Sequence, residues 1–363
     1  MLFARGANMG ICPAVARAVR SSCLVIFPRP VVFAAESTVR LLRRVLPPST
    51  VFVRNRRELF GASFTPGAVA FVDYDLLETI EGGKIDIPIV AIMNVSAHDA
   101  LIETVRALGA FSWLAHVIQA PLLSLDRAGA HLELLLKRLV SGGDPSPLGR
   151  SAVGRSAFIA RASKRSARFD RMREFFETQG LPERLVTTLM DVGEELVMNG
   201  LYDAPKDGGF HTEVHSRNED VELPPERACE ISYGIEDANA FVRLRDPFGA
   251  LTRERLIQVL SRCAVGHGEV EIDPSRGGAG LGMWRIFSAA STLAVTVVPG
   301  SITDVTVSIG KNDSRRLVRP LAVDLYFADA PRTWSLAGDE DSFLVDNSFT
   351  LAIGESTPTP SPC

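Results

Sequence analysis

A glutamate and an asparagine lie one helical turn apart in "DVGEELVMNGLYDAP", residues 191–205. The apolar spacing around them predicts an amphipathic helix, with a core face formed by Leu185, Leu189, Val192 and Leu196. Asn199 projects into that face, and Glu195 lies at its edge. Burying an unpaired carboxylate or amide is costly, so the pair requires a hydrogen-bond network, a metal or a ligand as its partner.

Two glycine-containing segments farther along the chain have the residue types of a ligand site. In "RLRDPFGAL" a predicted strand ends in Asp246 and turns through Pro247 to Gly249. In "RGGAGLGMWRIF" a glycine cluster runs directly into a predicted helix. Glycines let the backbone approach a ligand closely, and the free N–H groups at the start of a helix favour phosphate. Alone, each segment is more typical of a simple turn or a tight loop.

Together and in this order, the three segments resemble the N box and the two glycine boxes of the Bergerat-fold ATPases. That superfamily includes histidine kinases, anti-sigma-factor kinases, DNA gyrase B subunits and heat-shock chaperones. The resemblance covers residues 155–310. It implies an α/β sandwich domain with a mixed sheet that binds ATP and Mg²⁺, with residues 264–277 as a mobile lid.

The resemblance also implies a role for each site residue. Asn199 would bind Mg²⁺, and one amide oxygen suffices because this ion keeps several waters. Glu195 would orient or activate the attacking nucleophile, and Asp246 would accept a hydrogen bond from the adenine amino group. The glycines would approach the base at Gly249 and border the phosphates at Gly278, Gly280 and Gly282. The first glycine box departs from the family pattern, because Ala250 occupies its second glycine position.

Structural roles for the same pair remain open. Asn199 could cap a neighbouring turn, and Glu195 could form an ion pair with an arginine such as Arg243. Both alternatives would satisfy the polar groups without any ligand.

The type of ATPase is indicated by what precedes the N box. Histidine kinases carry their phosphorylated histidine on a helical hairpin there, but residues 141–210 contain no histidine. Residues 168–200 instead resemble the stand-alone arrangement of anti-sigma-factor kinases, although the loop predicted at 201–228 is longer. The resemblance implies a signalling protein that phosphorylates serine or threonine on a partner protein, and it is compatible with a homodimer. The competing hypothesis is a non-catalytic scaffold. In that case ATP stabilises one conformation, and a partner protein recognises that conformation.

Residues 22–140 alternate β-branched runs with amphipathic stretches, which is typical of a parallel sheet with crossover helices. The predicted strands are "CLVIF", "TVFV", "GAVAFVD", "IPIVAIM" and "AHVIQ". The predicted helices are "ESTVRLLRRVL", "AHDALIETVRALG" and "LDRAGAHLELLLKRLV". Farther on, the strands "CEISYGIED", "AFVRLRD", "LAVTVV" and "ITDVTVSIG" belong to the second domain. The fold class is therefore α/β.

The first domain resembles a response-regulator receiver with a flavodoxin-like sheet. Asp73 stands where receivers carry the phosphorylated aspartate, at the carboxyl edge of the sheet. The acidic pair of receivers is replaced by "FPRP", and their lysine by Gln119 and Ala120 in "IQAP". Mg²⁺ and a phosphoryl group would lack their partners without these groups. We therefore predict a degenerate receiver used for protein contact, with Asp73 as a simple strand-end residue as the alternative.

The composition is that of an ordinary globular protein of about two domains, because 46% of its 363 residues are hydrophobic and 23% are charged. The formal net charge of -4 gives no reason to expect nucleic acid or a membrane surface as the main partner. No apolar run approaches the ~20 residues needed to span a bilayer. The cysteines are odd in number and form no CxxC pair, which favours a reducing cytoplasm over a disulfide framework or a zinc site.

The domain boundaries follow from shifts in composition. Residues 150–173 carry eight Arg or Lys against one acid, Asp170. Without aromatic interleaving or a known motif, such a run is more typical of a solvated helix face than of a nucleic-acid site. Segments rich in Gly, Pro and Ser mark the linker and the tail. The predicted organisation is a flexible leader at 1–21, a receiver-like domain at 22–140, a linker at 141–154, an ATP-binding domain at 155–310, an extension of unassigned placement at 311–353 and a disordered tail at 354–363.

Overall fold

The computed structural model describes residues 29–61, 67–80, 87–95, 99–140, 152–265, 281–312 and 321–328. Within these ranges the chain is an α/β protein with one large mixed sheet. The predicted leader and tail lie outside the described residues, as do Gly278 and Gly280 and most of the predicted lid.

Five parallel strands form one end of the sheet: β1 (Pro30–Phe33), β2 (Val51–Phe52), β3 (Val69–Asp73), β4 (Ile89–Met93) and β5 (His116–Gln119). Their order is β2-β1-β3-β4-β5, a common order of doubly wound sheets. Short β-branched runs suit these positions, because helices cover parallel strands on both faces. The prediction of a parallel sheet in this part of the chain is confirmed.

The helices of this part are α1 (Glu36–Val45), α2 (Arg56–Gly61), α3 (Leu77–Ile80), α4 (Ala100–Ala110) and α5 (Ala128–Val140). They lie on both faces of the five strands. Leu42 of α1 and Leu132 of α5 are buried in one apolar core, and Leu108 of α4 is buried in the other. The three helices predicted from the sequence here are confirmed as α1, α4 and α5.

The first described strand lies later in the chain than the sequence predicted. β1 begins at Pro30, whereas "CLVIF" lies outside the described residues. A proline is tolerated as the first residue of a strand, so the shorter run "PVVF" can form it. Ala34 and Ala35 follow β1, the first strand among the described residues, so they and not "FPRP" occupy the position directly after it. Neither alanine is acidic, so the position still lacks carboxylates.

Five antiparallel strands form the other end of the sheet: β6 (Val153–Ile159), β7 (Cys229–Glu236), β8 (Asn239–Asp246), β9 (Thr292–Val298) and β10 (Ile302–Gly310). Their order is β9-β10-β8-β7-β6. The strands from β7 to β10 confirm the predicted runs. β6 was not predicted: it begins within the segment expected to be a linker, and it shows that the basic run 150–173 is not one helix face.

The helices of this second part are α6 (Arg165–Thr178), α7 (Glu183–Met198), α8 (Ala204–Asp207), α9 (Arg253–Val265) and α10 (Leu281–Ala289). The predicted core face of α7 is confirmed, since its four apolar residues are at most 2% exposed. They share a core with Val242 and Leu244 of β8, so strand alternation places Arg243 on the opposite face of the sheet. None of the helices in the described ranges is long and apolar enough to cross a membrane.

The helical path continues beyond the end of α7 and does not give way to a loop. It passes through a π-helical segment, Asn199–Asp203, directly into α8. Gly200 allows this close packing, because a Cβ there would lie 2.7 Å from Cδ2 of Leu244. Pro205 lies in the first turn of α8, where a missing N–H is tolerated. The prediction of a loop from residue 201 was therefore wrong for 201–207. Such π-helical turns are frequent at functional sites.

One further strand, β11 (Ala322–Phe327), joins the two ends of the sheet. It pairs antiparallel with β5 and parallel with β9, so Val323 lies opposite both Val117 and Leu293. On the other face of β11, the buried Asp324 lies 3.3 Å from Nδ1 of His116. Part of the extension 311–353, which the sequence could not place, is therefore the central strand between the two parts of the sheet.

Candidate functional site

A cavity of about 630 Å³ lies between the C-terminal end of α7, the strands β8 and β10, and the helices α9 and α10. Its lining brings together Asn199 of the π-helical segment, Asp246 at the end of β8 and Gly282 of α10. Each comes from a different one of the three sequence segments. Apolar contacts are offered by Leu196, Leu244, Leu256 and Val305. The cavity thus combines an apolar wall with a few polar groups, as small-molecule sites do.

Asp246 is a buried carboxylate, 5% exposed, at the end of β8. Its Oδ1 accepts a hydrogen bond from the backbone N–H of Phe248 at 3.0 Å. Burial raises the pKa of Asp246 to about 6, although the backbone N–H groups of Phe248 and Gly249 favour the ionised form. The group is therefore mainly ionised at neutral pH, and it offers hydrogen-bond acceptors to the cavity.

Thr303 is a site residue that the sequence did not reveal. It lies directly opposite Asp246 in the β10–β8 register and also lines the cavity. Its hydroxyl lies close enough to favour the ionised carboxylate, but it does not reach hydrogen-bonding geometry with any described residue. A buried hydroxyl and a buried carboxylate thus stand side by side at this end of the cavity. Only the cross-strand register brings them together, so no local motif could have indicated the pair.

Gly249 has a structural reason to be glycine. Its φ is 56°, and a Cβ there would lie 2.2 Å from the carbonyl oxygen of Val298 and 2.8 Å from the backbone N of Gly300. The turn after β8 therefore packs tightly on the turn between β9 and β10. Gly249 was predicted to approach an adenine base, but its neighbour Ala250 lines the cavity and Gly249 does not.

Asn199 is the first residue of the π-helical segment, and its side chain is partly exposed to the cavity. Within the described ranges its amide makes no side-chain hydrogen bond, so the geometry gives no support to a role in capping a neighbouring turn. The same ranges contain no cluster of three or more His, Cys, Asp or Glu side chains that could hold a metal. The donor set here is one amide oxygen, which suits Mg²⁺ only together with ligand oxygens and waters.

Glu195 lies between two arginines and is 14% exposed. Nη1 of Arg285 donates to Oε1 at 3.1 Å, and Nη1 of Arg217 donates to Oε2 at 3.4 Å. The alternative that Glu195 forms an ion pair with an arginine is therefore confirmed, with Arg217 and Arg285 as its partners. Arg243, the arginine given as an example, instead forms a buried pair with Asp304 at 2.6 Å, on the face of β8 that points away from α7. In the part of the chain that the structure describes, Glu195 does not line the cavity.

Gly282 is the second residue of α10 and packs directly on Glu195. A Cβ at position 282 would lie 2.2 Å from Oε2 of the Glu195 carboxylate. The start of α10 can therefore reach the cavity only because this residue has no side chain. The two other predicted phosphate-bordering glycines, Gly278 and Gly280, lie outside the described residues.

Beside His215, three Lys or Arg side chains among the described residues line the cavity, and the sequence indicated none of these three. They are Lys206 of α8, Arg217 in the segment after α8, and Arg255 of α9. Arg217 also contacts Asp203, with 3.3 Å between Nη2 and Oδ2. Burial raises the pKa of Asp203, and the charge of Arg217 opposes that shift. The unusual length of residues 201–228 was the one available signal, because this segment carries both Lys206 and Arg217.

Asp73 is buried at the end of β3, well partnered by neutral groups. Its Oδ2 accepts the backbone N–H of Ala35 at 2.6 Å, and Nδ2 of Asn94 lies 3.4 Å from its Oδ1. Burial raises the pKa of Asp73. The carboxylate does stand at the carboxyl edge of the parallel strands, as predicted, but Ala34 and Ala35, which directly follow β1, add no second carboxylate.

Gln119 has a structural function at the position that was compared with the lysine of receivers. Its Nε2 donates to Oγ1 of Thr104 at 3.2 Å, and its Oε1 accepts the backbone N–H of Leu321 at 2.9 Å. Gln119 therefore links the residue before β11 to β5 by a hydrogen bond, and it contributes no positive charge near Asp73.

The chain matches no protein-family model, no curated protein and no solved structure. What the structure does show is that Asn199, Asp246 and Gly282 line the same cavity.

Proposed function

We propose that the cavity binds ATP with Mg²⁺, and that the protein is a cytoplasmic signalling protein with a Bergerat-type ATP-binding domain. The observation that carries the proposal is the convergence of Asn199, Asp246 and Gly282 on one cavity. The cavity volume of about 630 Å³ suits a nucleotide-sized ligand. The buried Cys229 is a free thiol, which fits a reducing compartment.

The chemistry of each residue suits one part of the nucleotide. An ionised Asp246 is an acceptor-only group and would match the donor N–H of the adenine amino group. The amide oxygen of Asn199 would be one ligand of Mg²⁺ between the phosphates. The free N–H groups at the start of α10, around Gly282, favour the phosphates themselves.

In the catalytic form of the proposal, the protein transfers the γ-phosphoryl group of ATP to a serine or threonine of a partner protein. Phosphoryl transfer depends mainly on positioning and on charge stabilisation, which Asn199 and the Gly282 segment would supply. Glu195 would orient or deprotonate the attacking hydroxyl. Because Arg217 and Arg285 occupy its carboxylate, base catalysis requires at least one of these contacts to be exchanged.

The second candidate is a non-catalytic scaffold, and the same arginine contacts favour it. A carboxylate held by Arg217 and Arg285, outside the cavity lining, is poorly placed to accept a proton from a substrate hydroxyl. In this form ATP stabilises one conformation, which a partner protein recognises.

For residues 29–140 we propose a degenerate receiver that serves as a protein-contact module. The strand order β2-β1-β3-β4-β5 and the position of Asp73 at the carboxyl edge support the likeness to receivers. Ala34 and Ala35 after β1, and the structural use of Gln119, support the loss of phosphorylation chemistry.

The test is calorimetric titration of the full chain with Mg-ATP and Mg-GTP. We expect ATP to bind and GTP to fail, because guanine presents a carbonyl oxygen where adenine presents its amino group. Asp246→Asn should lose ATP binding. The matched control is Asp237→Asn, which lies exposed in the turn between β7 and β8 with a φ of 50° that asparagine tolerates.

Absence of ATP binding to the wild-type protein at millimolar concentration, or unchanged binding by Asp246→Asn, would overturn the proposal. ATP consumption measured on the same preparation with cellular extract added separates the two forms. Turnover above the extract background supports the kinase, and binding without added turnover supports the scaffold.

A further inference from the structure

The segment between α8 and β7, residues 208–228, brings one cation to the cavity. Arg217 lines the cavity and is only 27% exposed, although it belongs to a stretch without long regular elements. The segment is anchored nearby, because the hydroxyl of Tyr202 donates to the backbone carbonyl of Glu219 at 2.6 Å. Arg217 is therefore a positioned side chain of the cavity.

The two carboxylate contacts of Arg217 are long. Its guanidinium lies 3.4 Å from Glu195 and 3.3 Å from Asp203, through a different terminal nitrogen in each case. Charge-assisted N–H···O bonds are typically ~2.7–2.9 Å long. A guanidinium has five N–H donors, and no other side-chain partner of Arg217 exists among the described residues. Most of the N–H groups of Arg217 therefore have no side-chain acceptor among the described residues.

The contact with Glu195 fixes the end of the cavity at which Arg217 lies. The Glu195 oxygen that Arg217 approaches, Oε2, is the atom that lies against Gly282. Asp246, by contrast, is surrounded by Phe248, Gly249 and Thr303. Arg217 is thus at the Gly282 end, where a nucleotide with its base at Asp246 would place its phosphates.

We propose that Arg217 binds the terminal phosphates of the nucleotide and makes the cavity selective for nucleoside di- and triphosphates over nucleosides. The inference rests on the proposed ATP site. The planar fork of a guanidinium matches two phosphate oxygens, whereas its present contacts to Glu195 and Asp203 are single and long. Binding phosphate would draw Arg217 away from Glu195, which would leave that carboxylate with Arg285 as its one described cationic partner.

The experiment measures the affinities of ATP, ADP and adenosine by calorimetry at constant Mg²⁺, with the full chain. For Arg217→Gln we expect the ATP affinity to fall about 10- to 100-fold, the usual range for a hydrogen bond to a charged group. Adenosine affinity should change less than about twofold, which also shows that the variant is folded. Arg217→Lys keeps the charge but lacks the fork, so it should lose an intermediate amount.

The matched control is Arg161→Gln. Arg161 also pairs with a glutamate, Glu222, but that pair is largely exposed and lies outside the cavity lining. Arg161→Gln removes the same charge as Arg217→Gln. If its ratio of ATP to adenosine affinity equals that of the wild type, net charge alone does not explain the effect of Arg217→Gln.

Two results would overturn the inference while leaving the ATP site intact. One is an ATP affinity of Arg217→Gln equal to that of the wild type. The other is an equal loss for ATP and adenosine, which would make Arg217 a structural residue. If the wild-type protein binds none of the three ligands, the proposed function fails first and the inference fails with it.

Discussion

The carboxylate of Glu195 occupies the space that a side chain at position 282 would need. A Cβ on Gly282 would lie 2.2 Å from Oε2 of Glu195, well inside the contact distance of any real pair of atoms. The C-terminal part of α7 and the first turn of α10 thus pack directly on each other at Gly282. Replacing Gly282 with a larger residue should displace Glu195 while keeping its carboxylate.

Gly282→Ala should therefore displace the Glu195 carboxylate from its arginine partners. In the kinase form we expect ATP turnover to fall at least about tenfold. The matched control is Gly129→Ala in α5, where a Cβ meets nothing within 4 Å. That control should gain about 0.4–1 kcal/mol in a urea melt, as such helix substitutions do. Gly282→Ala should lack the gain, and an equal gain in both variants would contradict the close packing.

Glu195→Ala should leave ATP binding intact and lower turnover by roughly 10² to 10⁴ if Glu195 is the base. The stability cost should be small, at most about 1 kcal/mol, because Arg285 is 70% exposed and can be hydrated. The control is Glu194→Ala, whose partner Arg165 lies 3.0 Å away on the outer side of α7. A loss of about 3–5 kcal/mol would show instead that Glu195 belongs to a buried structural ion pair.

Asp246→Asn should lose ATP and at the same time stabilise the protein. The wild-type pKa is raised from 3.8 to about 6, so the folded state holds the proton more tightly than the unfolded state. The destabilisation is therefore absent only well below pH 4 and has already begun at pH 4, where the unfolded carboxyl is about half ionised. It grows as pH rises to about 6 and reaches about 3 kcal/mol at higher pH. Urea melts of both proteins from pH 4 to pH 8 measure the difference.

The loss of ATP in Asp246→Asn has a geometric cause. The backbone N–H of Phe248 already holds Oδ1, so the asparagine oxygen should stay there and turn the amide N–H₂ toward the adenine amino group. A stability difference that is constant from pH 4 to pH 8 would mean that Asp246 does not titrate as described.

Asn199→Ala should weaken ATP binding only when Mg²⁺ is present, by roughly tenfold or more, because it removes one metal-ligand oxygen. Calorimetry with Mg²⁺ and with EDTA measures the two affinities. Asn218→Ala is the matched control, since Asn218 also lines the cavity but lies in the segment after α8. Equal losses with and without the metal would assign Asn199 a structural role.

Asp73 should not be phosphorylated by acetyl phosphate. Its Oδ2 is held by the N–H of Ala35 at 2.6 Å, and Ala34 and Ala35 supply no carboxylate for Mg²⁺. Mass spectrometry after incubation with acetyl phosphate and Mg²⁺ checks this. A phosphate mapped to Asp73 would show that the first part of the chain is a working receiver.

The sequence predicted the elements whose signal is local. The period of α7 identified its buried face, and the order of the three segments identified residues that do line one cavity. β6 was not predicted because its sequence, "VGRSAFI", mixes charged and small residues. Among the described strands, β6 pairs only with β7. A strand of this kind gains its stability from β7 and not from its own composition.

The partners of Glu195 could not be predicted for a different reason. Arg243 was only one example of an arginine partner, and strand alternation turns it toward Asp304. Arg217 and Arg285 reach Glu195 from a long connecting segment and from α10. Their approach depends on tertiary packing, which no spacing rule within the chain encodes.

The position of β11 determines when the sheet can be completed during synthesis. Asp324 and His116, which face each other across β11 and β5, are separated by 208 residues. At roughly 5–20 residues per second, the ribosome needs roughly 10–40 s to make the chain between them. Throughout that interval β5 lacks its partner β11, and β9 lacks it from its own synthesis onward. Unpaired strand edges of this kind pair readily with other chains. The nascent protein is therefore expected to depend on chaperones until β11 emerges.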